Sequence, residues 1–274
     1  MKRILVPTDF SKTAAHALKV AAQIARINKS EIVLLHMLDL PQNESDAVIT
    51  GSSIPEIMLF KKTIAQRLDN LADADYLDGL AVSKIIRYEK TFEGILKITK
   101  KNKIDFIVMG STGTNGLHEV FIGSNTEKVV RSADVPVLVI KNEISEFNTA
   151  NFVFASDFSY RFKEPFLKMK AIAEIFNAHI HLVTISTPTH FRTTGMAEKM
   201  MEDFVSELQP GNYSMHVYND LSVEKGVLNF AKSVNADIIG MCTHGRTGLS
   251  HLINGSISEN LANHADGPVL TLKI

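Results

Sequence analysis

The stretch Ile4-Leu5-Val6-Pro7-Thr8-Asp9-Phe10-Ser11 decides the fold, because it returns past the midpoint as Phe152-Val153-Phe154-Ala155-Ser156-Asp157-Phe158-Ser159. In both copies an apolar run of one strand's length stops at an Asp-Phe-Ser turn and opens a segment of helical spacing. A second passage is shared late in each half. Ile107-Val108-Met109-Gly110-Ser111-Thr112-Gly113 is followed, after nine residues, by Gly123-Ser124. Ile239-Gly240-Met241-Cys242-Thr243-His244-Gly245 is followed, after nine, by Gly255-Ser256. Each half closes on a Pro-Val run, at 135–140 and 267–272. Solenoid repeats recur every roughly 20–50 residues. This period is much longer, so the chain carries two copies of one domain, expected over 1–142 and 151–274 with a polar linker at 142–151.

Working outward from Asp9, residues 13–27 place Ala14, Ala17, Leu18, Ala21, Ile24 and Ala25 at helical spacing, with Ser11 positioned to cap them. Residues 32–38 are apolar except for His36, the pattern of a parallel strand covered on both faces. A polar loop is expected over 39–53, helices over 54–72, 92–100 and 124–132, and strands over 2–6, 80–88, 105–109 and 135–140. The second half repeats the order, with strands expected over 152–155, 179–185, 213–217, 237–241 and 268–272. Strands alternating with helices predict an α/β fold: two tandem open parallel sheets with helices on both faces, of Rossmann-like type.

Composition narrows the function classes. A hydrophobic fraction of 45% with 22% charged residues suits a water-soluble globular chain. A net charge of −1 gives no general attraction to nucleic acid or to an anionic membrane. The single cysteine, Cys242, excludes an internal disulfide and fits a reducing, cytoplasmic setting. The basic start Met1-Lys2-Arg3 leads into an apolar run that Asp9 interrupts, so it reads as a strand and not a signal peptide.

Ligands of doubly wound sheets sit beyond the carboxyl ends of the strands, where the strand order reverses. Asp9 follows the first strand and Gly110 the fourth. Glycine lets a bulky anion approach main-chain N–H groups. Gly123-Ser124 opens a helix, whose free amides and positive dipole end favour phosphate. Asp9, an acceptor, suits the opposite end of such a ligand, at a base amine or ribose hydroxyls. It is also an ordinary helix-capping residue, and both readings stand. His179, His181 and His190 lack a carboxylate or cysteine to complete a metal set, so no metal is expected. Cys242 has no evident base beside it and reads as a buried small residue.

The spacing Gly-x2-Gly-x9-Gly-Ser after the fourth strand, with Asp after the first, resembles the universal stress protein family. The resemblance spans nearly the whole chain as two tandem modules. It implies an adenine nucleotide, ATP or a relative with or without Mg, held by Pro7, Thr8, Asp9, Met37, Gly110, Gly113, Gly123, Ser124 and Asn125. Met37 lines the base pocket in this reading; a core methionine is the alternative. In the second half Asp157, Gly245, Gly255 and Ser256 match, but Cys242 replaces a motif glycine, so that site is expected to be degenerate. The resemblance further implies an internal pseudo-dimer through the Pro-Val strands and leaves a homodimer open. The function it implies is nucleotide-dependent stress response. The alternative is a nucleotide-free interaction module. No Walker-type Gly-Lys-Ser/Thr or adenylating signature is present, so turnover beyond slow ATP hydrolysis is not expected.

Overall fold

The computed structural model describes residues 1–38, 54–111, 123–147, 149–208, 211–243 and 264–274. Strands β1 (Arg3–Pro7), β2 (Glu31–Met37), β3 (Val82–Arg87), β4 (Phe106–Gly110) and β5 (Val137–Ile140) belong to the first half. Its described helices are α1 (Lys12–Asn28), α2 (Ile54–Ala72), α3 (Thr91–Lys101) and α4 (Ser124–Ser132). The second half contributes β6 (Asn151–Ala155), β7 (His179–Ser186), β8 (Tyr213–Asn219), β9 (Ile238–Thr243) and β10 (Val269–Lys273). Its described helices are α5 (Lys163–Ile175), α6 (Thr194–Leu208) and α7 (Val223–Ser233). The loop expected over 39–53 lies outside the described residues. The linker yields its last residue, Asn151, to β6.

The ten described strands form one sheet in the order β3-β2-β1-β4-β5-β10-β9-β6-β7-β8. Among these strands pairing is parallel within each half and antiparallel at the centre, where Leu138 faces Leu270 across β5 and β10. The two halves are therefore mirror-ordered about a central edge-to-edge junction. In each, strand order reverses between its first and fourth strands, β1/β4 and β6/β9.

Side-chain alternation divides the core. Ile4, Val6, Ile32, Leu34, Phe106 and Val108 point to the face covered by α1 and α2. Phe152, Phe154 and Leu270 continue the same cluster under α5 and α6, so one core spans both halves. On the other face the halves keep separate cores. Leu5, Val33 and Ile107 lie under α3 and α4, and Val153, Val183 and Ile239 under α7. Strands buried on both faces explain why these segments read as unbroken apolar runs.

Candidate functional site

The turn after β1 is built by its own side chains. Thr8 N–H continues the ladder to Leu35 O (2.8 Å), and Thr8 Oγ1 accepts from Phe10 N–H (3.1 Å). Asp9 Oδ1 accepts from Ser11 N–H (3.0 Å), and Ser11 Oγ accepts from Ala14 N–H (3.2 Å) as the N-cap of α1. These bonds force Phe10 to φ 63°, a left-handed conformation costly for a bulky residue. Contacts hold it there: the Phe10 ring lies 4.6 Å from the His36 ring, and the Arg67 guanidinium sits 4.2 Å from the Phe10 centroid. His36 Nδ1–H donates to Thr8 O (2.7 Å) from inside the core. Burial, with some repulsion from Arg67, keeps the His36 pKa below its ordinary value despite the opposing pull of the Thr8 bond and Asp9. The imidazole is therefore neutral at pH 7, a donor to the turn and not a charge.

Beside this turn, β4 ends at Gly110, where the chain passes so close to α1 that no Cβ fits. An added Cβ would lie 2.8 Å from Thr13 C and 3.0 Å from Ala14 N. Thr126 Oγ1 donates to Gly110 O (2.9 Å), and Gly123 N–H donates to Ser111 O (2.7 Å). The start of α4 is thus tied to the end of β4. Gly123 caps α4 with ordinary extended dihedrals, φ −62° and ψ 146°, so its glycine character is not demanded by backbone strain. Ser124 and Asn125 are exposed in the first turn, where amides have no intrahelical acceptor. Pro7, Thr8, Asp9, Gly110, Gly123, Ser124 and Asn125 therefore gather at the carboxyl edge around the β1/β4 reversal. Gly113 lies outside the described residues.

Met37 is at the same edge but on the opposite face from His36. It packs against α3, where a Cβ at Gly94 would collide with its terminal methyl. The second half repeats this fit, with Gly226 of α7 making room for Ile185. This paired glycine was missed in the sequence, although Gly94 and Gly226 occupy the same place in equivalent helices.

In the second half the Asp-Phe-Ser turn recurs. Ser156 Oγ accepts from Phe158 N–H (2.9 Å), Asp157 Oδ1 accepts from Ser159 N–H (2.9 Å), and Phe158 has φ 55°. Beyond the turn the two halves diverge. Ser159 makes no capping bond, and a 3-10 turn at Tyr160–Phe162 replaces the helical start before α5. Cys242 stands in the place of Gly110, and a first turn placed as in α1 would meet its Cβ. Arg161 instead reaches back to Asp157 Oδ2 (2.9 Å). Burial raises the Asp157 pKa, but the Ser159 hydrogen bonds and the Arg161 guanidinium outweigh it and hold the carboxyl below its usual range. Cys242 is half-buried where the sequence suggested a fully buried small residue, and desolvation with the nearby Asp157 pushes its thiol up to about 12. Gly245, Gly255 and Ser256 lie outside the described residues. Among those described, no group of three or more His, Cys, Asp or Glu side chains is arranged to hold a metal ion, and no helix is long and apolar enough to cross a membrane.

Comparison with known proteins agrees with this architecture. A model of the universal stress protein family matches residues 1–141 and again residues 151–273. Universal stress protein MJ0577 of Methanocaldococcus jannaschii is 32% identical over 157 residues, covering 53% of this chain and 97% of the relative. Universal stress protein Slr1230 of Synechocystis is 23% identical over the full length of both chains. The crystal structure of a universal stress protein from Archaeoglobus fulgidus superposes with a TM-score of 0.76 over 99% of this chain and 98% of its own, at 22% identity.

Proposed function

The chain belongs to the universal stress protein family, and from that premise we propose that its first half, residues 1–142, binds ATP or a related adenine nucleotide and that the bound state regulates a stress response. One observation carries the reading. The Asp9 turn, Gly110 and the Gly123-capped start of α4 meet at the β1/β4 reversal, the place where open parallel sheets take their ligands. Exposed first-turn amides at Ser124 and Asn125 suit a phosphate, with Gly113 and Gly123 allowing close approach. The Asp9 carboxylate suits a hydroxyl or amine donor across from it. Ligand binding then acts by linkage, shifting a conformational balance by its differential affinity for the two states.

The second half, residues 151–274, serves in this reading as structural partner to the first. The Arg161–Asp157 ion pair occupies the carboxylate, and Cys242 stands where Gly110 lets α1 approach in the first half.

Calorimetry with ATP, ADP and AMP, with and without magnesium, on the intact chain tests this. One adenylate per chain is expected. Asp9→Asn is the informative variant, because an amide oxygen can keep the bond to Ser11 N–H while the charge is lost. Affinity should fall about tenfold, or ~1.4 kcal/mol, while Asp157→Asn leaves it unchanged. No adenylate binding at millimolar concentration ends the proposal, and unchanged affinity in Asp9→Asn removes Asp9 from the site.

A further inference from the structure

At the opposite, amino-terminal edge of the sheet, three imidazoles converge on one hydroxyl. Ser214 Oγ lies 2.9 Å from His179 Nε2, 3.1 Å from His181 Nδ1 and 2.7 Å from His216 Nε2. The outer nitrogens are assigned by their partners. His179 Nδ1–H donates to Asn212 Oδ1 (2.7 Å), and His181 Nε2–H donates to Asn151 Oδ1 (3.3 Å). Those two rings, when neutral, then present lone pairs to Ser214. The Ser214 O–H donates to His179, and His216 Nε2–H donates to Ser214 Oγ with His181 Nδ1 as a second acceptor at 3.4 Å. With three neutral rings every polar atom in the ring of bonds has a role.

Protons break this arrangement. One puts a positive charge into a half-buried cluster with which, among the described residues, no carboxylate pairs. Two leave three N–H donors aimed at a hydroxyl with only two lone pairs. The packed elements offer no relief. α7 presents Phe230, 4.9 Å from the His216 ring and 6.3 Å from that of His181. β6 presents Asn151, whose backbone N–H takes up the Asp237 carboxylate (2.8 Å). On α7, Glu224 pairs with His264 (2.8 Å), and Lys225 and Lys232 are exposed. The charged neighbours acting on His181 are His179 and His216, both repulsive once protonated.

We propose that the His179–His181–His216 cluster is an acid-operated latch, which holds β8 and α7 on the second half at neutral pH and releases them as the medium turns mildly acid. The sign follows from the proton balance. Burial first, then the two neighbouring imidazoles, lower the His181 pKa to about 4, and burial with His179 lowers that of His216. An opened edge titrates near the ordinary value of 6.5. Between these limits the open state binds more protons, so packing is complete above about pH 6.5 and weakens steadily as pH falls towards 4. The first half lacks the device. At the positions of His179, His181 and His216 it has Glu31, Val33 and Ile85, and Glu31 accepts from Arg3 Nε (2.8 Å) and Ser83 Oγ (2.7 Å).

Hydrogen exchange by mass spectrometry on the intact chain, from pH 7.5 to 4.5 and corrected for intrinsic rates, reads the latch directly. Peptides over 213–219 should lose protection at least tenfold below pH 6, while peptides over 3–7 and 31–37 keep theirs. His181→Val with His216→Ile, which installs the first half's residues, should move the loss at least one pH unit lower. If that variant does not fold, His216→Gln serves, with a smaller shift in the same direction. Flat protection of β8 across the range overturns the latch. So does an unshifted midpoint in the folded variant, or simultaneous loss in both halves.

Discussion

A single position, Gly110 in one half and Cys242 in the other, sets how closely the fourth strand approaches the helix after the first. At Gly110 the neighbouring backbone is so near that a methyl group must displace α1. Gly110→Ala should therefore destabilise the chain by about 1–3 kcal/mol, read as a lower urea midpoint. Cys242→Gly by itself should not create a second nucleotide site, because Arg161 still holds Asp157 and the 3-10 turn still replaces the capped helix start. Calorimetry should report unchanged stoichiometry. The raised thiol pKa has its own consequence. With the folded value near 12, almost no thiolate exists at pH 8, so Cys242 should react with a disulfide reagent only after denaturation. Rapid modification of the native chain at that pH would contradict the half-buried, protonated thiol.

Ser11 and Ser159 look alike in the sequence, yet only Ser11 caps its helix. Ser11→Ala should cost about 1 kcal/mol in urea unfolding, and Ser159→Ala less than half as much. This pair marks where sequence reading stops. The Asp-Phe-Ser turns were legible because their bonds join residues two apart, as in Asp9 to Ser11 and Asp157 to Ser159. The strands were legible because burial on both faces demands continuous apolar runs. His36 stood out as the lone polar residue in such a run, but its bond to Thr8 O depends on strand register, which spacing alone does not reveal. The Arg67 stack on Phe10 joins α2 to the β1 turn and has no local signature at all. The Arg161 to Asp157 pair is four residues apart and was visible in principle. Its importance appears only once Cys242 is seen to occupy the glycine's place.

The two halves are one molecule because β5 and β10 each leave an open edge that the other fills. Beyond the backbone ladder, Thr271 Oγ1 donates to Val137 O (3.2 Å), Thr243 Oγ1 donates to Val130 O (3.2 Å), and Lys273 pairs with Asp134 (2.8 Å). The apolar cluster beneath α1, α2, α5 and α6 runs across the junction without a break. A unit with a continuous core on one face and a shared ladder should unfold in a single urea transition when followed by both fluorescence and far-UV dichroism. Separation should then expose two apolar strand edges at once, the arrangement that favours self-association. Fragments 1–142 and 151–274, prepared apart at tens of micromolar, should sediment as dimers or larger species. Mixed in equal amounts, they should return a one-to-one complex of the intact chain's mass. Two monomeric fragments that ignore each other would mean that the central pairing adds little to the stability of either half, and the single-transition behaviour should then fail as well.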